Sequence, residues 1–417
     1  MKTYKMVLIV GDGMGDRLVP SLNYKTPLQE ASTPNLDEMA RRGQTGLINV
    51  IAPGIPPGSD TAHISLFGLD PFLWYEGRGP FEAMGVGASL TKGDVALRGN
   101  FATVKEEGGK LIVVDRRAGR KVDEASELVE VLNEKLNEVD GVKVEFYHAT
   151  EHRLAVVLRG EGLSDKVSDT DPHEVGKPVL ESRPLEDTPE AKKTAEVLTK
   201  ITFKSYEVLK DHPANKRRIE KGLPPANIVL LRGAGMLRKP LPTLQERIGV
   251  KAAAVGATAL VLGVAKAVGM DLYTPPGATG GVDTDYKSKA RKAVELLKDY
   301  DMVFVHLKGT DAASHDGLVE EKVRMIEALD YIAGYIMDYY DGEAVFVVTP
   351  DHATPVTVKE HTGDPVPSLL YAPTAIPDDT KEYNEISVAK GKLSGIRGMD
   401  LFNLMVNYAN RAKKFGA

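Results

Sequence analysis

Met6-Val7-Leu8-Ile9-Val10-Gly11-Asp12-Gly13 is the stretch from which the fold can be read. Its unbroken apolar run, without polar alternation, marks a strand buried on both faces, as in parallel sheets. The run stops at an acid held between glycines. Two later stretches repeat the arrangement. Met302-Val303-Phe304-Val305-His306-Leu307 ends shortly before Asp311, and Ala344-Val345-Phe346-Val347-Val348 ends just before Asp351. Three acids therefore stand beyond the carboxyl ends of three strands, where open α/β sheets hold their ligands. One such acid alone would read as a helix cap. Three of them, each near a histidine or a serine, read as a site.

The residues around these acids are metal ligands by type. Asp12, Ser59, Asp311, His315, Asp351, His352 and His361 form the candidate set. Carboxylate and imidazole hold divalent ions such as zinc and manganese. Seven ligands exceed the need of one ion and suit two. A serine is not a usual structural ligand, and a hydroxyl placed on a metal is a nucleophile in preparation. Asp311 and His315 are four apart, so a helix starting there presents both on one face. Asp351 and His352 are adjacent, so they can act together only from a loop or a strand end. Ser59 follows Ile55-Pro56-Pro57-Gly58, a rigid turn that delivers it to a helix start. Free N–H groups and the positive dipole end at such a start suit a phosphoryl group.

The bulk numbers exclude other classes. A chain of 417 residues holds two or three domains, or one large domain with an insertion. Its net charge of −6 leaves no basic footprint for nucleic acid. The absence of cysteine removes disulfides and zinc ribbons and is compatible with a cytoplasmic setting. The N-terminal apolar run stops too early for a signal peptide. The longest apolar stretch, 252–265, is shorter than the roughly 20 residues a membrane span needs. Three glutamines (Gln29, Gln44, Gln245) and no cysteine point to a thermophilic source.

Along the chain, Thr33-Pro34-Asn35-Leu36-Asp37-Glu38-Met39-Ala40 reads as a helix start, with a cap, a proline at the first position and acids in the first turn; Gly43 ends it. Texture then changes. Residues 86–240 are rich in arginine and alternate candidate strands (142–147, 154–159, 227–231) with helices (123–138, 188–210). This segment reads as an inserted domain, which leaves 1–85 and 241–417 as a discontinuous core. The parallel-sheet pattern resumes near 250, with helices at 256–268, 284–299 and 317–340.

With these residues in hand, the chain resembles a known family. Asp12 in Gly-Asp-Gly, Ser59 in Gly-Ser-Asp-Thr-Ala-His, Asp311-Ala-Ala-Ser-His315, Asp351-His352 and His361 are similar to the metal-site signature of the alkaline phosphatase superfamily. Asp115-Arg116-Arg117-Ala118-Gly119-Arg120, Glu151-His152-Arg153, Ser168-Asp169-Thr170-Asp171-Pro172-His173 and Pro276-Gly277-Ala278-Thr279-Gly280 resemble the archaeal-type cofactor-independent phosphoglycerate mutases. The resemblance covers nearly the whole chain. It implies an α/β fold with an alkaline-phosphatase-like core, a mostly parallel sheet flanked by helices, and a smaller inserted α/β (α+β) cap. It implies one divalent ion (Mn, Zn, Co or Mg) held by Asp12, Ser59, Asp351 and His352, and a second held by Asp311, His315 and His361. It also implies independence from 2,3-bisphosphoglycerate, a small phosphoglycerate substrate and a possible homo-oligomer.

The chemistry explains the residue types. Phosphate monoesters hydrolyse very slowly in water, so catalysis needs a potent nucleophile and cancellation of charge on the entering and leaving oxygens. A mutase must also exclude water while the phosphoryl group rests on Ser59, and a mobile cap that closes would serve this. Guanidinium groups bind carboxylate and phosphate bidentately. Candidate clamps are Arg98, Arg116, Arg117, Arg153 and Arg232, with Lys251 resembling a family lysine near the phosphoryl group; Ser59, Lys251 and Arg232 form the candidate catalytic set. His63 and His173 read as capping or filling residues, and Asp171 as a turn acid before proline. Competing readings are a phosphomonoester hydrolase with the same metal centre and a phosphopentomutase. Purely structural metals would have no reason to include a serine. The Arg-His-Gly motif of bisphosphoglycerate-dependent mutases does not occur.

Overall fold

The Lys5–Gly11 strand lies in the middle of a seven-stranded sheet, and its apolar residues face both ways. In the computed structural model, which describes residues 2–416, the sheet runs in the order 271–273, 252–255, 302–307, 5–11, 344–349, 366–371, 44–48. Its first five strands are parallel; Val366–Tyr371 runs against them and pairs with Gln44–Ile48. Val7, Ile9, Val303, Val305, Phe346 and Val348 face a layer made by helices Pro34–Arg42, Tyr286–Leu296 and Val319–Tyr339. Phe304 points to the other face, where it meets Phe67 edge-on at 5.1 Å just beyond helix Ser59–Leu66. Helices Ala259–Ala267 and Gly398–Tyr408 pack against Ser59–Leu66 in that layer. Full burial of each such side chain contributes about 1.5–3 kcal/mol, which is why an all-apolar strand takes the central position. Among the described residues no helix is long and apolar enough to cross a membrane.

The chain divides into two compact units, Met1–Tyr75 with Leu241–Ala417, and Glu76–Pro240. The boundary expected after residue 85 falls earlier, because helix Gly79–Gly85 packs on strands Val95–Glu107 and Ile228–Met236 of the second unit. That unit is built on an antiparallel sheet. Val95–Glu107 pairs with Lys110–Asp115, Arg153–Arg159 and Ile228–Met236, and Arg153–Arg159 pairs in turn with Val142–His148. Helices Ala125–Lys135 and Pro189–Leu209 cover one face through Leu128, Leu132, Val197, Leu198 and Ile201.

Helix Pro34–Arg42 forms where the sequence places it, but the Thr33 hydroxyl does not cap it. It lies 3.4 Å from Asp37 Oδ1 instead.

Candidate functional site

In the first unit the parallel register brings the three acids together. Val10 is level with His306 on one neighbouring strand and with Thr349 on the other, so the residues just beyond these ends converge. Asp12 follows its strand directly, Asp311 sits in the first turn of helix Gly309–Asp316, and Asp351 lies in the loop after Ala344–Thr349. His352 Nε2 stands 3.4 Å from Asp12 Oδ1 and 3.3 Å from Asp351 Oδ2. Asp311 Oδ1 is 3.5 Å from His361 Nε2 and 3.3 Å from His315 Nε2. Two ligand groups result, Asp12–Asp351–His352 and Asp311–His352–His361, with ligand atoms inside each group within 4.8 Å of one another. His352 belongs to both.

The histidines are fixed so that each turns Nε2 inward. His361 Nδ1 lies 2.8 Å from the Pro57 carbonyl and His315 Nδ1 lies 2.8 Å from the Lys359 carbonyl. A carbonyl only accepts, so both Nδ1 atoms carry a proton, and in the neutral ring Nε2 is the nitrogen with the lone pair. The Thr354 hydroxyl donates to Asp311 Oδ1 at 2.9 Å, which leaves its oxygen to accept from His352 Nδ1 at 2.9 Å. This is the tautomer a metal ligand needs.

The carboxylates repel one another. Burial, and then the charge of Asp12, raise the Asp351 carboxyl well above the usual range. Burial also acts to raise Asp12, but Lys308 and the hydrogen bond from His306 outweigh it and hold that carboxyl well below its ordinary value. Lys308 Nζ reaches Asp12 Oδ1 at 3.1 Å and Asp311 Oδ2 at 2.6 Å. His306 Nε2 is 2.7 Å from Asp12 Oδ2. Asp351 Oδ2 and His352 Nε2 are buried without a hydrogen-bond partner. Buried polar atoms without partners are costly. Convergent acids with inward lone pairs therefore fit divalent cations by charge and by donor type.

Ser59 opens helix Ser59–Leu66, as its turn suggests, and it is buried. The turn is anchored on both sides. His361 holds the Pro57 carbonyl, and the Ser59 carbonyl accepts from His63 Nδ1 at 2.6 Å. The same His63 nitrogen is 3.8 Å from Asp351 Oδ2. Burial, and then neighbouring His306, push the His63 imidazole down to about 3, so it stays neutral.

The second unit gathers arginines. Arg116, Arg117, Arg120, Arg153 and Arg232 line a cavity of about 140 Å³ with Asn100 and His152. Cross-strand register explains the gathering: Asn100 pairs with Arg153 and Arg98 with Arg232, so these four share one face of the sheet. Arg232 Nε is buried without a partner. Burial, and then the charge of Arg98, lower the Arg232 guanidinium from its ordinary value. Asp171 grips Arg116 through two bonds, of 3.0 and 2.7 Å. A cavity with this charge fits a small carboxylate or phosphate. A roomier cavity of about 740 Å³ elsewhere in the unit mixes Lys110 and Lys204 with Glu106, Glu181 and Glu207, and lacks such convergence.

Comparison with known proteins identifies a family. A family model described as 2,3-bisphosphoglycerate-independent phosphoglycerate mutase matches residues 40–215. A protein of that name from Ignicoccus hospitalis is 80% identical over all 417 residues, covering 100% of both chains. The chain belongs to the 2,3-bisphosphoglycerate-independent phosphoglycerate mutases. A family protein from Metallosphaera sedula is 55% identical, again over 100% of both chains. Among solved structures, a cofactor-independent phosphoglycerate mutase from Thermoplasma acidophilum superposes with a TM-score of 0.73 at 34% identity, covering 97% of this chain and 100% of that one. A Pyrococcus horikoshii protein superposes with a TM-score of 0.82 at 42% identity over 100% of both.

Within this family frame, two expected residues move. Lys251 lies at the wrong end of the sheet. It precedes Ala252–Val255, whose parallel register sets Ala252 level with Met302, so Lys251 is beside Asp301 at the amino edge while the acids lie past the carboxyl edge. Its ammonium rests over the Tyr300 ring, 4.5 Å from the centroid. Lys308 is the lysine that meets the acids. Lys251→Ala is accordingly expected to keep steady-state mutase rates within about threefold of the parent, since surface changes of this kind are small; a hundredfold loss would return Lys251 to the site. Arg98 is not in the arginine cavity and pairs with Glu82 at 3.1 Å. Arg120, His152, Lys308 and His306 went unassigned. Arg120 and His152 lie inside the arginine-rich motifs, and His306 is the one polar residue of its strand, so a signal existed for these three, whereas Lys308 carried none.

Proposed function

We propose that the chain interconverts 2-phosphoglycerate and 3-phosphoglycerate without added bisphosphoglycerate, by way of a phosphoserine at Ser59. The observation that carries the reading is that each unit holds a partner-poor polar site, with buried carboxylate and imidazole atoms in the first and a buried arginine nitrogen in the second. Asp12, Ser59, Asp351 and His352 would hold one divalent ion and Asp311, His315 and His361 the other, with His352 close enough to both groups to serve either. When bound, such ions supply Lewis acidity and lower the pKa of a coordinated hydroxyl. The identity of the ions is left open by this donor set among Mn, Zn, Co and Mg.

The chain's own residues do the rest. Ser59 Oγ attacks phosphorus as the glycerate oxygen leaves, and the neighbouring glycerate hydroxyl then attacks the phosphoserine and frees Ser59. The positive end of helix Ser59–Leu66 favours the phosphoryl charge. Lys308 adds fixed positive charge beside Asp12 and Asp311. Arg153 and Arg232 take the glycerate carboxylate, with Arg116 held ready by Asp171 and Arg117 beside it.

The test is a coupled assay on 3-phosphoglycerate, freed of bisphosphoglycerate, with phosphate release followed in parallel. Mutase product should dominate. Mainly free phosphate would make the protein a hydrolase. In the same assay Arg232→Ala should lose about 30- to 1000-fold, the equivalent of roughly 2–4 kcal/mol for a desolvated charge-assisted contact, with its metal content intact. A rate equal to the parent would place the substrate elsewhere.

A further inference from the structure

Lys322 is a fully buried lysine that none of the preceding chemistry uses. It stands in the first turns of helix Val319–Tyr339, on the layer beneath the metal ligands. Its ammonium donates to the Gly13 carbonyl at 2.9 Å, the Thr354 carbonyl at 3.0 Å, the Gly15 carbonyl at 3.3 Å and Asp16 Oδ2 at 2.8 Å. Gly13 and Gly15 belong to the loop that carries Asp12. Thr354 belongs to the loop that carries Asp351 and His352. One nitrogen therefore stitches together the two loops that hold Asp12, Asp351 and His352.

The same seam is closed by further bonds. Thr354 N donates to the Gly15 carbonyl at 3.0 Å, Val356 N to Asp16 Oδ2 at 3.1 Å, and Gly13 N to Asp351 Oδ1 at 2.9 Å. Thr354 also hydrogen-bonds both His352 and Asp311. Moving Thr354 thus moves ligands of both groups. Gly13 has φ +63°, and a Cβ there would come within 2.6 Å of Asp311 Oδ1 and 2.7 Å of the Thr354 hydroxyl, so no side chain fits between this loop and those two residues. Lysine is the only side chain that offers three donors from one atom, which is what a knot of carbonyls requires. Burying an ammonium for stability alone is a poor bargain, since an apolar side chain of similar size is often as good.

We propose that Lys322 is a positioning residue that sets the spacing of the Asp12 and Asp351–His352 loops, and thereby the affinity of the site for divalent metal. The inference rests on the metal-centre reading above. The test uses the full chain, stripped by chelator and dialysed, then titrated with Mn²⁺ by calorimetry while thermal unfolding is followed separately. Lys322→Met should bind at least one ion about ten- to a hundredfold more weakly, the usual cost of losing an outer-shell partner. Lys322→Met with Asp16→Asn removes the unpaired buried charge and should regain thermal stability without regaining affinity. If the single variant does not fold, this charge-neutral double variant carries the comparison. Parent-like affinity in the double variant would reduce Lys322 to a counter-ion for Asp16 and overturn the inference while leaving the metal centre standing. Parent protein that takes up no Mn²⁺ at all would overturn both.

Discussion

Ser59→Ala is expected to fold, to retain the ion held by Asp311, His315 and His361, and to lose mutase activity by at least about 10⁴-fold. Removing the nucleophile of a covalent mechanism leaves only binding and electrostatic stabilisation, which recover a small part of the rate. The loss should appear in kcat, because the arginine cavity that would bind the glycerate contains no atom of Ser59. The positive counterpart is chemical. Enzyme quenched during turnover with phosphorus-labelled substrate should carry label on the peptide containing Ser59, and that label should return to glycerate. Label on a histidine, or full activity in Ser59→Ala, would remove the phosphoserine from the mechanism.

The second large effect is loss of metal. Exhaustive chelation should lower activity at least about a thousandfold, with recovery on adding Mn²⁺ or a similar ion, because in the proposed mechanism both the nucleophile and the leaving oxygen would draw on Lewis acid assistance. His352→Ala is the sharpest single probe. His352 Nε2 stands within reach of both ligand groups, so its loss should weaken uptake at both rather than at one. Metal analysis should then show about two ions per chain in the parent protein and fewer than one in this variant. An active parent with a single tight ion would contradict the two-ion assignment.

How far the sequence could be read depended on what each residue had to display. Strand Lys5–Gly11 and its two neighbours were legible because a strand buried on both faces must be apolar throughout. Helix Gly309–Asp316 was legible because Asp311 and His315 declare their spacing, and the structure closes them to 3.3 Å. The Val95–Glu107 strand was not. Arg98, Gly99 and Asn100 interrupt its apolar run, since Asn100 lines the arginine cavity and Arg98 turns to Glu82 of helix Gly79–Gly85. Lys251 was misplaced because a residue's kinship to a motif says nothing about which end of a parallel strand it occupies. Lys322 was invisible for a different reason. A lysine in an amphipathic helix looks like a solvated cation, and only three dimensions reveal the knot of carbonyls around it.

The position of Lys5–Gly11 has one more consequence, for how the protein is made. This strand is synthesised long before either of its partners, Met302–Leu307 and Ala344–Thr349. Its edges therefore stay uncovered until both partners have been translated, and such distant pairing is slow to form. The contiguous segment Glu76–Pro240 has no such delay and can condense while the rest is still being translated. Ligand geometry is accordingly among the last features to be completed, and a nascent chain released before residue 349 has no means of assembling it.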